Sequence, residues 1–246
     1  MSNTNTNASI LDEKLALVTV AISVPGGYRR LTTDQIAALG GSFPDSKVVT
    51  EGSLKVFNSD AFGPFLAIRR TLFRLLQKCG IKALGSSKVF AIPRVKLENI
   101  LTEVAAAEGK FKTETADLDA NYESIYEAHI AKNPEAETLI RAKRFARADV
   151  INRLTFSHAV FCIQPVVREG EDADKGVESI VSGLARQLFE EIAGEMATLS
   201  ESDTFTKNGR GVQRTLRPLR AAVEKLEGLD FLDPLTIAGA VKMFNT

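Results

Sequence analysis

The sequence predicts a mostly helical α+β protein: a long antiparallel helical hairpin or three-helix bundle on a small mixed or antiparallel sheet. Three observations predict it. Apolar residues recur alternately four and three apart from Leu97 to Ile125, at Leu97, Leu101, Val104, Phe111, Leu118, Tyr122 and Ile125, with Glu108 and Thr115 as the polar members of that seam. Two later segments carry the same kind of stripe: Val177, Val181, Leu184, Leu188, Ile192, Met196 and Leu199, then Val212, Leu216, Leu219, Val223 and Leu226. Short runs rich in β-branched residues, punctuated by Pro and Gly, occupy the first third and the middle. A coiled-coil-like seven-residue repeat makes a helix bury one stripe against a partner helix, with crossing angles near ~20°. The pattern therefore speaks of shape and partners rather than of bond-making chemistry.

Taken in order, residues 1–9 read as a disordered tail, and Leu15 to Val24 as a strand closed by Pro25-Gly26-Gly27. A short helix is expected from Thr33-Asp34 to Leu39, stopped by Gly40-Gly41. Lys47 to Phe57 reads as a strand pair or a strand broken at Gly52. Asn58 or Ser59 caps a helix with Phe62, Phe65, Leu66, Leu72, Phe73 and Leu76 on one face, interrupted only by Arg69 and ended by Gly80.

Lys88 to Ile92 is a further short strand, and Pro93 opens a helix that runs to Lys132, ahead of Pro134. Such a rod would be roughly 60 Å long, with Gly109 a point for a kink. A second helical segment covers Glu135 to Asn152. Leu154 to Val167 is the clearest strand; neither of its faces is fully polar, so a central position is expected. An acidic linker precedes a helix from about Ala173 to Leu199, and Pro218 either kinks or starts the next one. The apolar C-terminal stretch is expected to dock on the core. This gives an α/β base from 10–92 and 154–168 and a helical part from 93–153 and 172–246, in one composite domain.

A chain of 246 residues buries roughly 75% of its unfolded surface and needs no staples. Basic and acidic residues balance at 31 each, so any polyanion or membrane-surface binding must come from a local patch. Cys79 and Cys162 both lie in apolar runs and read as buried free thiols, which fits a reducing cytoplasm. The start MSNTNTNAS lacks the basic and apolar regions of a signal peptide, and no apolar stretch reaches the roughly 20 residues that span a bilayer. A cytoplasmic protein without membrane contact is expected.

The search for chemistry is mostly negative. There is no phosphate loop and no G-x-G-x-x-G after a strand; Gly26-Gly27 and Gly40-Gly41 look like turn glycines. His129 and His158 stand apart from each other and from any cysteine pair, so no metal is expected; both read as core or interface histidines. Asp117 and Asp119 fall on different helix faces, and Glu169, Glu171, Asp172 and Asp174 read as a solvated linker. Ser157 and His158 point to opposite faces of a strand. No catalytic residue and no cofactor are assigned, and the chain reads as no enzyme.

Two basic ridges remain. Arg141, Arg144 and Arg147 recur every three residues, as do, more loosely, Lys207, Arg210, Arg214, Arg217 and Arg220. Either could contact nucleic-acid phosphates, or be a solvated helix face paired with nearby Glu; interleaved aromatics for base stacking are missing.

KVFAIPRVKLENI and RLTFSHAVFCIQP, separated by a long helix and NPEAETLIR, resemble an uncharacterised bacterial and phage protein family. Its members occur in phages and conjugative elements, often encoded beside a MoxR-like AAA+ ATPase and a von Willebrand A protein similar to cobalt-chelatase subunits. The resemblance covers roughly residues 15–200 and carries no active-site residues. It implies an adaptor role in an ATP-driven machine, with Leu97, Leu101, Val104, Phe111, Leu118 and Tyr122 as candidate partner contacts. Nucleic-acid binding through the ridges and a homo-oligomeric structural role are the alternatives.

Overall fold

Leu15–Ser23 forms β1, whose apolar residues are covered on both faces: Leu15, Val18 and Val20 are all fully buried. In this computed structural model, which describes residues 13–32, 49–50, 52–83, 85–162, 173–200 and 213–244, two small sheets and eight α-helices follow from that strand. Residues 49–50, 173–177 and 213–216 are described by backbone alone. The expected tail, the helix at Thr33–Leu39 and most of the acidic linker lie outside the described residues.

The second sheet combines β2 (Tyr28–Arg30), β3 (Val49–Thr50) and β4 (Ser53–Lys55) in the order β2-β4-β3, all antiparallel. β3 and β4 are the pair expected around Gly52, which takes a positive φ of 80° in the turn. Gly27, at φ 73°, leads into β2; a Cβ there would stand 2.9 Å from the Phe57 carbonyl oxygen. Side chains could not occupy that place.

The Asn58 side chain accepts a hydrogen bond from Asp60 N at 3.1 Å and caps a 3-10 turn, Ser59–Phe62, that leads into α1 (Gly63–Cys79). Phe65, Leu72 and Leu76 are buried, while Arg69 is exposed. Gly80 ends α1 by close approach: a Cβ would meet the Ala91 carbonyl oxygen at 2.4 Å. The chain then turns into β5 (Ile81–Lys82) and β6 (Val89–Pro93).

β6 pairs antiparallel with β5 and with β1, from Leu15↔Pro93 to Thr19↔Val89. The first sheet has the order β5-β6-β1-β7, where β7 is Thr155–Phe161. Among the described residues the strand expected to be central is thus an edge strand; its expected last part, 163–167, lies outside them. Most of its residues are exposed, and only Phe156 and Ala159 are half-buried. Apolar residues on both faces look alike in sequence whether or not other elements cover them.

α2 (Arg94–Ala120) and α3 (Tyr122–Ala131) together fill the expected rod. Helix α2 passes Gly109 without interruption, and the joint falls at Asn121 instead. There the side-chain amide donates to the Asp117 carbonyl at 2.8 Å, alongside Asn121 N at 3.0 Å. Asparagine competes for backbone partners in this way, which weakens helix interiors.

The single helix expected over Glu135–Asn152 is three pieces: a 3-10 turn Pro134–Ala136, α4 (Glu137–Ala142) and α5 (Arg147–Asn152). Residues 143–146 are not helical, and tyrosine hydroxyls donate to one carbonyl within this break and to one just ahead of it. Tyr126 Oη donates to Ile140 O at 3.0 Å and Tyr122 Oη to Phe145 O at 2.7 Å.

α6 (Ala173–Ser200) matches the expected second long helix, with Leu184, Leu188 and Ile192 buried. α7 (Gln213–Glu227) continues through Pro218 rather than starting there. α8 (Pro234–Phe244) is capped by Asp233, whose carboxylate accepts from Thr236 N at 3.2 Å.

Compact packing divides the chain along lines other than base and bundle. One unit comprises the described parts of residues 1–20, 73–103 and 158–246; the other comprises those of 21–72 and 104–157. In the first, Leu15, Leu17, Ile81 and Ala91 of the sheet pack with Leu188, Leu226 and Ile237 of α6, α7 and α8. The buried Lys225 amine there donates to Glu191 Oε2 and to the Gln77 carbonyl, both at 2.8 Å. In the second, the core is aromatic: Phe57 stacks on Tyr122 at 5.1 Å between centroids, and Phe111 meets Phe65 edge-on at 5.0 Å and Phe156 at 5.7 Å.

Candidate interaction surfaces

The candidate partner contacts divide by depth. Val104, Phe111, Leu118 and Tyr122 are at most 4% exposed and form part of the aromatic core of their unit. From Val104 onward these buried residues pack within the chain, on a helix, a loop and a strand. Leu97 and Leu101 are half-buried.

The first basic ridge is matched against carboxylates. Arg141 makes two parallel bonds to Glu127, at 2.8 and 2.7 Å, and a third to Glu137 at 2.8 Å. Arg144 pairs with Glu123, and Arg147 with Asp119 at 2.5 Å. Arg144 also lies over the rings of Tyr122 and Tyr126, at 5.5 and 4.6 Å. Hydrogen bonds from Arg147 and Arg141 hold the carboxyls of Asp119 and Glu127 below their ordinary values. The same bonds raise both guanidinium values. Burial pushes the Tyr122 and Tyr126 phenols up, against the opposing pull of Arg144. Each guanidinium of the ridge is thus matched by a carboxylate, but Arg144 lies in the non-helical stretch between α4 and α5, so the three do not share one helix face. Asp119, Glu123 and Glu127, spaced by four, are the signal that matches Arg147, Arg144 and Arg141, spaced by three.

Of the second ridge, Arg210 lies outside the described residues and the Arg214 side chain is not described, while Arg217 and Arg220 are exposed on α7.

A different basic surface was not legible as such. Tyr28 stands opposite Lys55 and Arg30 opposite Ser53, so these four share one face of the second sheet, while Arg29 and Leu54 share the other. Leu54 is fully buried, which makes its face the inner one; Arg29 lies over the Phe145 ring at 4.4 Å. The outer face carries Tyr28, 51% exposed, with Arg30 exposed and Lys55 half-buried. Among the described residues neither Arg30 nor Lys55 is in an ion pair. Gly26-Gly27 before Tyr28-Arg29-Arg30 was the available signal, but three residues are too few to read as a strand.

The polar singletons are mostly structural. His129 is buried, with Nε2 2.9 Å from the Lys55 carbonyl oxygen and Nδ1 3.3 Å from the Asn133 amide. His158 is exposed on β7, not a core residue. Both cysteines are free thiols, but neither is fully buried. Cys162 is exposed and accepts from Arg94 Nη2 at 3.1 Å. Cys79 is half-buried beside Lys78, Lys96, Asn99 and Glu103 at a cleft of about 500 Å³. No group of three or more His, Cys, Asp or Glu that could hold a metal occurs among the described residues. Among the same residues, no helix is long and apolar enough to cross a membrane.

Apolar side chains also reach solvent. On α8, Leu235 is 89% and Met243 76% exposed, while Ile237 is buried against the core. Leu235 and Met243 lie eight residues apart, about two turns, on the side away from Ile237. Val160 and Phe161 are exposed on β7.

A family model described as "Protein of unknown function (DUF3150)" matches residues 12–246, and the chain belongs to that family. No curated protein and no solved structure matches it.

Proposed function

We propose that this chain is a non-enzymatic adaptor of a phage or mobile element, accessory to a AAA+ ATPase machine. The observation that carries this reading is α8. That helix is tied to its own core by Ile237 and presents Leu235 and Met243 outward. Large apolar side chains kept in water cost free energy unless a partner covers them, and methionine suits surfaces that adapt to a partner. The resemblance of the strand segments to proteins encoded beside MoxR-like ATPases and von Willebrand A proteins names the partner class.

The test is light scattering of the purified chain with the MoxR-like ATPase, or the von Willebrand A protein, of the same element. A complex at about 10 µM is expected, weakened at least tenfold by Leu235→Glu with Met243→Glu. Full-strength binding by that variant, or a face occupied by a second copy of the chain instead, would overturn the assignment.

A further inference from the structure

We propose that the outer face of β2 and β4 is a contact site for single-stranded nucleic acid, with Tyr28 as the base-stacking platform and Arg30 and Lys55 as phosphate contacts. This stands apart from the adaptor reading and rests on different residues.

A site of this kind needs an aromatic ring open to solvent and cations beside it whose charge is not already used. The Arg141–Arg147 ridge meets neither condition: its guanidinia are paired with carboxylates, and the two tyrosines beside it are buried. The β2–β4 face meets both. The Tyr28 ring is half exposed, and the antiparallel register sets Lys55 directly across from it. Arg30 lies two residues along the same strand face, about 7 Å away.

The platform is also fixed from beneath. Leu54 is buried on the inner side, Arg29 rests on Phe145, and His129 is bonded to the Lys55 carbonyl. Val56 N donates to Gly27 O at 2.9 Å and Leu31 N to Gly52 O at 2.7 Å, which extends the β2–β4 pairing at both ends. A rigid face loses little conformational freedom on binding. Cations that have no carboxylate partner among the described residues call for an anionic ligand, and an exposed aromatic residue beside them calls for one with π-faces. A single strand supplies both, whereas a duplex keeps its bases stacked internally.

The experiment is fluorescence anisotropy with labelled 12-mer oligo-dT and oligo-U, read as a function of salt. Binding of the single strands is expected, with the 12-bp duplex at least tenfold weaker. Tyr28→Ala should cost about tenfold in affinity at unchanged salt dependence, and Tyr28→Trp should restore it. Arg30→Ala and Lys55→Ala should each lower the slope of log K against log salt by about 0.7. All of these substitutions are at exposed or half-buried positions, and circular dichroism checks that the fold persists. Three results would overturn the site: wild-type affinity in Tyr28→Ala, equal competition by polyphosphate or poly-Glu, or no single-strand binding at 50 mM salt.

Discussion

The amine of Lys225, a residue 3% exposed, donates to Glu191 Oε2 at 2.8 Å and links α7 to α6. The same amine reaches the Gln77 carbonyl at 2.8 Å, so one cation ties three helices together. Removing Glu191 leaves the buried Lys225 amine unpaired, whereas removing the amine leaves Glu191, whose side chain is 24% exposed, open to hydration. Glu191→Ala is expected to destabilise the protein by about 3 kcal/mol, and Lys225→Met by about 1 kcal/mol or less. Urea denaturation midpoints of the two variants check the difference in sign-independent size.

Tyr122→Phe removes only a hydroxyl, yet it leaves the buried Phe145 carbonyl, within the non-helical stretch 143–146, without its donor at 2.7 Å. A loss of about 1–2 kcal/mol in unfolding free energy is expected. Amide exchange should speed up across 143–146 in the variant.

Acid should loosen the Arg–carboxylate ladder. The folded-state values of Asp119 and Glu127 are lowered, so the stability they contribute is complete above the ordinary carboxylate range, near pH ~4, and is lost as pH falls through the lowered values. The Arg147–Asp119 and Arg141–Glu127 partners are roughly half exposed, so the contribution is small and screened. Melting temperatures from pH 6 to pH 2.5 should fall less steeply for Asp119→Asn than for the wild type. High salt should shrink that contrast.

Glycine replacement separates two positions. A Cβ at Gly109 would meet nothing within 4 Å, and Gly109 lies inside α2, so Gly109→Ala should stabilise by about 0.5–1 kcal/mol. Gly80→Ala would drive a methyl to 2.3 Å from Ile92 Cδ1 and 2.4 Å from the Ala91 carbonyl, and should destabilise by roughly 1–3 kcal/mol or more. Thermal melts of the two variants should move in opposite directions.

Local signals were legible where they stood alone. The Asn58 cap, the Gly80 stop, the β-branched run of β1 and the apolar stripes of α2, α3 and α6 all correspond to elements near their expected bounds. What escaped depends on contacts distant in sequence. β2 and β5, of three and two residues, exist by pairing with neighbours, not by any propensity of their own. The carbonyls of Ile140 and Phe145, at and within the break at 143–146, take their donors from hydroxyls 14 and 23 residues upstream. The edge position of β7 depends on what covers a strand, and Phe156, Val160 and Phe161 do not reveal that. At the surfaces, the arginines were visible at once, but which of them were already matched by carboxylates was not. Arg30 and Lys55, in no ion pair among the described residues, lie beside Tyr28, on a strand too short to read.

The ladder acts as a ruler. Its acids step forward by four residues, Asp119, Glu123 and Glu127, while its bases step back by three, Arg147, Arg144 and Arg141. A returning chain with those two strides can be laid down at one setting only. Chain length can therefore vary between Glu127 and Glu137, whereas a residue inserted or deleted within 119–127 or within 141–147 puts rungs out of step.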